Sequence, residues 1–291
     1  MSFSYKKNCL GYFMIMVPMF FYRKGKTMSS QFNQNAHEHC IVEQFTKQAI
    51  TFAQLSGHAD SMQLLINMSG VDSKDEVLDV ACGSGMVACE FAKIAHHVTG
   101  IDITEKMIVQ AEKRQKELQR TNMTWRVGQA IPLPYEDNSF SMVITRYSFH
   151  HFLEPKKALA EMIRVCRPGG TILIADVAIS SMQVDAYNQM EKLRDPSHTR
   201  ALSHEEWVQI LNSSELEELR KAEYRVDMEL ESQLQASFPQ EGDVEKIRGI
   251  FRRDVKTNEL GVDSRIIEDA IHFSYPISIF VGKKGKRISE A

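Results

Sequence analysis

Val77-Leu78-Asp79-Val80-Ala81-Cys82-Gly83-Ser84-Gly85 passes, within one short stretch, from an apolar run to a pair of glycines. Glu76–Val80 reads as a short buried strand, Ala81–Gly85 as a tight turn, and Met86–Ala95 as the helix that follows. Glycines at a strand-to-helix turn let backbone amides approach a ligand closely, and the helix end behind them offers partial positive charge. Gly83-Ser-Gly85-Met-Val-Ala88 also satisfies the loose G-x-G-x-x-A dinucleotide pattern, which on its own is a weak signal.

Outward from that turn the same alternation continues. His97–Ile103 is the second predicted strand, and Thr104 begins a helix to about Arg120 with Met107, Ile108, Ala111 and Leu118 turned inward. Met123–Val127 and Phe140–Tyr147 make a third and a fourth strand. Pro155 suits the first position of a helix, where its missing N–H costs nothing, and that helix closes at Pro168-Gly169-Gly170 before a fifth strand at Thr171–Val177. Upstream, apolar residues between 36 and 68 recur at helical spacing (Ile41, Phe45, Ala49, Phe52, Ala53, then Met62, Leu65, Ile66). Strands alternating with helices imply parallel strands joined by crossovers, hence an α/β fold, a doubly wound Rossmann-like sheet with helices on both faces.

Past residue 180 the pattern changes. Residues 182–213 read as helical and polar around a loop at Asp195-Pro196-Ser197. Glu223–Glu229 alternates as a strand, Val244, Ile247, Ile250, Phe251 and Val255 mark an amphipathic helix, and Ile277–Gly282 is a final strand. Those two strands bring the sheet to seven, and the long segment between them is a helical cap insertion large enough to shape a pocket. The domain reading is therefore an apolar extension at 1–27 and a single domain at 28–291. Within it, 36–180 forms the cofactor-binding core, and 181–222 and 231–275 form the cap and acceptor segments.

The overall composition is that of a globular protein: 291 residues, 43% hydrophobic, 25% charged, with 35 Lys+Arg against 38 Asp+Glu for a net charge of −3. That near balance gives no global electrostatic reason to expect nucleic acid. Cys9, Cys40, Cys82, Cys89 and Cys166 form no C-x-x-C pair and are too sparse for a disulfide framework, so reduced thiols in a cytoplasmic protein are expected. Residues 9–22 are strongly apolar and flanked by Lys6, Lys7, Arg23, Lys24 and Lys26. They fall short of the roughly 20 residues a spanning helix needs and are interrupted by Pro18. A membrane-surface anchor, an uncleaved signal and translated sequence upstream of a start at Met28 all fit, the last best; any membrane association would run through residues 9–22. His37-Glu-His39-Cys40 holds metal-capable side chains, but neighbours on a helix diverge and no further ligand is suitably spaced, so no metal is expected.

Two carboxylates sharpen the glycine turn. Asp79 lies on the first strand, where it can face an ammonium group held above the loop. Asp102 ends the second, where an acid would accept both ribose hydroxyls. A ligand with a ribose and a cationic tail suits that pair better than a pyrophosphate. With these residues in view, the chain resembles the class I S-adenosylmethionine-dependent methyltransferases, and within them the small-molecule subgroup like the ubiquinone and menaquinone biosynthesis enzymes. Val77–Gly85 resembles the family's first motif, and Gly128-Gln-Ala130 with Pro132–Phe140 the motif at the adenine edge. Arg167-Pro-Gly-Gly170 is similar to the family's turn before the fifth strand. Tyr147-Ser-Phe-His-His-Phe152 and Arg194-Asp-Pro-Ser-His198 are similar to the subgroup.

The resemblance implies S-adenosyl-L-methionine as cofactor, held by Asp79, Ala81, Gly83, Ser84, Gly85, Asp102, Ile103, Met107, Gln129, Ala130 and Arg146. Three positions depart from the pattern. Ala81 replaces the usual first glycine of the loop, Gln129 stands where an aspartate commonly accepts from the adenine amine, and Ser141 replaces a frequent aspartate of the fourth strand. A glutamine carbonyl accepts the same hydrogen bond without charge. The implied activity is methyl transfer to a small, aromatic or quinol-like acceptor. Ligands in open α/β sheets lie beyond the carboxyl ends of the strands, which makes Arg146, Tyr147, His150 and His151 the candidates to meet that acceptor. His150 and His151 could serve as base or acceptor contact; the alternative is that one caps the helix at Pro155 and the other packs at the loop. His198, with Arg194 and Asp195, lies in a polar segment that reads as a solvated loop or a cover for the site, with Asn188 and Arg200 similar. Competing readings are a non-catalytic module that binds the cofactor and a NAD(P)-dependent oxidoreductase, which Asp79 disfavours.

Overall fold

The computed structural model describes residues 28–52 and 61–286, with side chains from 33 to 49 and 61 to 286. The apolar run at 9–22 and its three readings lie outside the described residues. The sequence Glu76–Val80 forms β1, His97–Asp102 β2, Met123–Val127 β3, Phe140–Arg146 β4 and Cys166–Ile179 β5. All four pairings among these strands are parallel, in the order β3-β2-β1-β4-β5. The sheet then extends antiparallel: β9 (Ala270–Lys284) pairs with β5, and β7 (Leu216–Glu229) pairs with β9. Two short strands, β6 (Leu202–Ser203) and β8 (Arg265–Ile267), attach to β5 and β9 beside this seven-strand path.

Alternation along the central strands splits the core between two faces. Val77, Met142, Ile144, Leu173 and Ala175 join one apolar cluster, with Met62 and Leu65 of α2 (Met62–Ser69), Val87 and Ala88 of α3 (Met86–Phe91) and Tyr187 and Met190 of α6 (Val184–Arg194). Leu230 and Leu234 of α8 (Leu230–Ser237) and Ile247 and Phe251 of α9 (Asp243–Thr257) complete it. Leu78, Val80, Val143, Ile172 and Ile174 face the other way, onto Leu159 and Met162 of α5 (Pro155–Val165) and Trp207, Ile210 and Leu211 of α7 (His204–Asn212). Strands buried on both faces explain why they read as continuous apolar runs rather than alternating ones.

Two expectations need correction. Leu118 does not face inward: α4 (Glu105–Glu117) ends just before it, so this residue caps the helix and is 41% exposed, while Met107, Ile108 and Ala111 are buried. The segment from Asp195 to His198 is not a solvated loop, because Asp195, Ser197 and His198 are all buried. Polar side chains there satisfy one another: Asp195 Oδ1 accepts from the Ser197 N–H at 2.9 Å, and His198 Nε2 meets Asn188 Oδ1 at 2.7 Å. Among the described residues, no helix is long and apolar enough to cross a membrane.

Candidate cofactor cleft and the adjoining pocket

Strand order reverses at β1, which has β2 on one side and β4 on the other. Such a switch point splays the loops beyond the carboxyl ends apart and leaves a crevice. Here that crevice is a cleft of about 1300 Å³. Of the residues expected to hold a cofactor, Ala81, Gly83, Ser84, Asp102, Ile103, Met107, Gln129, Ala130 and Arg146 line it. The final helical wall is α1 (Met28–Phe52), which contributes His37, Glu38, Ile41 and Phe45.

The glycine turn is shaped by steric necessity. Gly85 adopts φ +74, and a Cβ there would meet the Trp125 indole at 2.6 Å and Ala111 Cβ at 2.9 Å. Gly83 adopts φ +52, and a Cβ added there would meet nothing within 4 Å. The missing side chain therefore leaves open space against the backbone, as a cradled ligand requires. Ala81 adopts φ +55 although it carries a methyl group. A left-handed backbone costs an L-residue about 1–2 kcal/mol, which explains why a glycine is usual at this position.

Asp102 organises the loop. One carboxylate oxygen accepts the Gly83 N–H at 2.9 Å and the other the Thr104 N–H at 2.8 Å. Burial raises its pKa, and those two hydrogen bonds oppose the rise. Each oxygen keeps a lone pair, so the group can still accept hydroxyl hydrogen bonds. Asp79 is placed differently from expectation. It lies behind the turn, not on the cleft wall, and burial pushes its carboxyl up to about 8 against a hydrogen bond from the Ala88 backbone. Its Oδ2 is buried without a partner among the described residues, an orphaned acceptor directly beneath the loop. Gly85 likewise supports the loop from behind. Arg146 lines the cleft with its guanidinium 4.4 Å from the centre of the Tyr147 ring, donating to Tyr147 Oη and Ser61 Oγ at 2.8 Å each. Gln129 donates its amide to Glu38 Oε2 at 2.7 Å.

The Phe149–His151 turn of 3-10 helix after β4 carries the two histidines. His150 Nδ1 lies 2.6 Å from Asp176 Oδ1, and the other oxygen of Asp176 accepts the Phe149 N–H at 2.7 Å. Burial disfavours the charged imidazole, yet the Asp176 carboxylate outweighs it and raises the His150 pKa above the ordinary value. His151 Nδ1 meets the Ser197 carbonyl at 3.0 Å; burial and the neighbouring His150 lower its pKa. His198 lies behind them, 5.5 Å from the His150 ring, outside both cavities, and burial holds it neutral. Neither histidine of the pair caps α5, whose N-cap is Glu154.

His150 and His151 line a second pocket with Val177, Tyr187, Val226, Met228, Tyr275 and Ile277, and Gln48, Glu191, Arg194, Asp195 and Gln233 add polar groups to its wall. Phe45, Tyr147 and His151 border both spaces. Tyr147 adopts φ +57, a left-handed backbone rare for an aromatic residue, held by its N–H on the Ala175 carbonyl at 2.8 Å and its hydroxyl on Tyr224 Oη at 2.8 Å. Sequence reasoning missed Asp176, Phe45, Tyr187 and Tyr275. Only Asp176 left a signal, as a lone acid inside the apolar strand Thr171–Val177.

Residues 78–174 match the family model described as a methyltransferase domain. Over that stretch, about a third of its length, the chain is similar to methyltransferase domains. It is similar to the uncharacterized methyltransferase YcgJ of Bacillus subtilis, 31% identical over 159 residues that cover 54% of this chain and 63% of that protein. It is also similar to the ubiquinone/menaquinone biosynthesis C-methyltransferase UbiE of Bdellovibrio bacteriovorus, 36% identical over 114 residues, 38% of this chain and 48% of that protein. The matches thus span between about half and two thirds of those curated relatives. The crystal structure of YcgJ shares the fold, with a TM-score of 0.73 at 24% identity, covering 79% of this chain and all of that one. The residues that line the cleft fit the cofactor of these methyltransferases in chemistry: open space over Gly83, remaining lone pairs on Asp102 and the apolar Ile103, Met107 and Ala130, with Asp79 behind the turn and outside that lining. Cys40, Cys82, Cys89 and Cys166 are free thiols; Cys9 lies outside the described residues. His37, Glu38 and His39 diverge onto the His151 carbonyl, Gln129 and Glu43.

Proposed function

We propose that this protein transfers a methyl group to a small aromatic acceptor bearing an ionisable hydroxyl, a phenol or quinol, bound in the pocket beside the cofactor cleft. The observation that carries the reading is the apolar pocket that shares Phe45, Tyr147 and His151 with the cleft and has His150 in its wall. Its mainly apolar surface, with Tyr187, Tyr275, Val177, Met228 and Ile277 beside the polar Glu191, Arg194 and Gln233, favours a flat apolar molecule that carries a polar group. When bound, S-adenosylmethionine supplies an electrophilic methyl on a sulfonium. This chain's part is to align the acceptor, exclude water and remove a proton.

The arrangement assigns those tasks as follows. His150 gives its Nδ1–H to Asp176, which leaves Nε2 unprotonated and able to take the acceptor's hydroxyl proton. Asp176 fixes the ring and stabilises the imidazolium that results. His151, held neutral, and Tyr147 form the partition across which the acceptor and cofactor meet. Residues 36–180 carry the cofactor, and the segments 181–222 and 231–275 supply the acceptor side, including Tyr187 and Gln233. The printed name of the UbiE relative, a C-methyltransferase of quinone biosynthesis, supports an acceptor of this chemical class.

The test is turnover of a panel of hydroquinones, catechols and simple phenols with S-adenosylmethionine, read as S-adenosylhomocysteine formed and methylated product. Methylation confined to polar or polymeric acceptors would sink the acceptor class. Tight S-adenosylhomocysteine binding without turnover of any acceptor would favour the non-catalytic module.

A further inference from the structure

Three carboxylates line the cofactor cleft: Asp102, Glu154 and Glu38. Asp102 is committed to the glycine loop, and Glu154 pairs with Lys157 at the head of α5. Glu38 is different. It comes from α1, outside the sheet and its crossovers, and reaches the loop after β3. Its Oε1 accepts from Gln34 Nε2 at 2.9 Å and its Oε2 from Gln129 Nε2 at 2.7 Å. Gln129 therefore has its amide nitrogen turned toward Glu38, which fixes the orientation of that side chain. The loop residue that should accept from a base is thus a neutral amide, and a half-buried carboxylate sits against it.

We propose that Glu38 recognises the exocyclic amine of the adenine, supplying from α1 the charged acceptor that the loop after β3 lacks. This inference rests on the S-adenosylmethionine site described above. A carboxylate is an acceptor only, so it welcomes an amine and repels a carbonyl at the same position. Each Glu38 oxygen uses one lone pair on a glutamine and keeps another for the base. Gln34 and Gln129 then act as positioning residues that aim the carboxylate. α1 itself has anchors apart from Glu38: His37 Nε2 lies 2.7 Å from the His151 carbonyl, and Gln44 and Gln48 both donate to the Ser237 carbonyl. Replacing the carboxylate therefore leaves the helix seated.

The experiment compares calorimetric binding of S-adenosylhomocysteine with that of S-inosylhomocysteine, in which the amine is replaced by a carbonyl. The natural chain should bind the adenosyl compound at least about tenfold more tightly. Glu38→Gln should weaken the adenosyl compound by about tenfold and narrow the preference, since a glutamine can turn its amide to either base. Adding Gln129→Asp to that variant should restore both affinity and preference by returning the charge to the loop. Equal binding of the two compounds by the natural chain, or an unchanged preference in Glu38→Gln, overturns the inference. So does a loss that tracks a lowered melting temperature and is not restored by Gln129→Asp, because Glu38 would then be a strut for α1. If the natural chain bound neither compound, the cofactor site itself would fail before Glu38 came into question.

Discussion

His150 and Asp176 form a pair with Nδ1 and Oδ1 2.6 Å apart, joining the turn after β4 to the interior of β5. Because Asp176 also accepts the Phe149 and Val177 N–H groups, its geometry is fixed before any acceptor arrives. If Nε2 of His150 takes a proton, the rate rises with pH as His150 loses its own, and the midpoint of that limb lies above the ordinary histidine value because the pKa is raised. Asp176→Asn removes the charge that raises it, leaving burial dominant, so the limb should shift to lower pH. His150→Gln should lower kcat by about 10²–10⁴-fold with little change in S-adenosylhomocysteine affinity. A pH–rate profile on the three proteins checks all of this.

His151 and His198 titrate in the opposite sense. Both are held neutral in the folded protein, chiefly by burial, whereas the unfolded chain protonates them below about 6.5. Each therefore costs stability as pH falls, by up to about 1.4 kcal/mol per pH unit until its folded form also titrates. His150, with a raised pKa, contributes stability at low pH that is lost as pH rises through its folded value. His198→Gln keeps a donor toward Asn188 and removes one titrating group, so its urea midpoint should fall less steeply between pH 6.5 and 5. An unaltered slope would mean that His198 is already charged in the fold.

Asp102→Ala removes the acceptor for two loop amides as well as for a ribose. Cofactor affinity should fall by roughly 1–3 kcal/mol, and the folded state should lose about 1–3 kcal/mol through the unsatisfied N–H groups. Calorimetry with S-adenosylhomocysteine, alongside thermal unfolding, separates the two losses. A stable variant with unchanged affinity would put the ribose elsewhere.

Ala81 and Gly85 have the same backbone hand and opposite prospects. Ala81→Gly relieves a left-handed alanine and should stabilise the protein by about 1 kcal/mol, less the entropy glycine loses on folding. Gly85→Ala drives a methyl into the Trp125 indole and Ala111 and should cost about 1–3 kcal/mol or more. Thermal melts of both variants decide it.

The glycine turn, Asp102 and the five parallel strands were legible because they depend on neighbours in sequence: an apolar run, a turn and a helix start. Asp79 was legible as a special residue but not its direction, since strand parity puts it with Val77 against α3, behind the loop. Asp176 was hidden because its role rests on His150, which only the β4–β5 pairing brings beside it. The outer half of β7, Leu216–Ala222, is so charged that it reads as coil; it is a strand because β9 supplies its ladder. Buried Ser197 meets the turn at His151 and buried His198 meets Asn188, and composition alone carries no trace of either contact.

The place of β9 between β5 and β7 has a consequence for biosynthesis. β7 is made before β9 and cannot reach β5, so for the whole span of α8 and α9 two strand edges wait for a partner still being translated. The contact of Lys283 Nζ with Thr171 Oγ1 bridges 112 residues, and such long-range closure comes slowly. During that interval the apolar edge of β5, carrying Ile172, Leu173 and Ile174, is a surface that chaperones would shield and on which unfinished chains would aggregate.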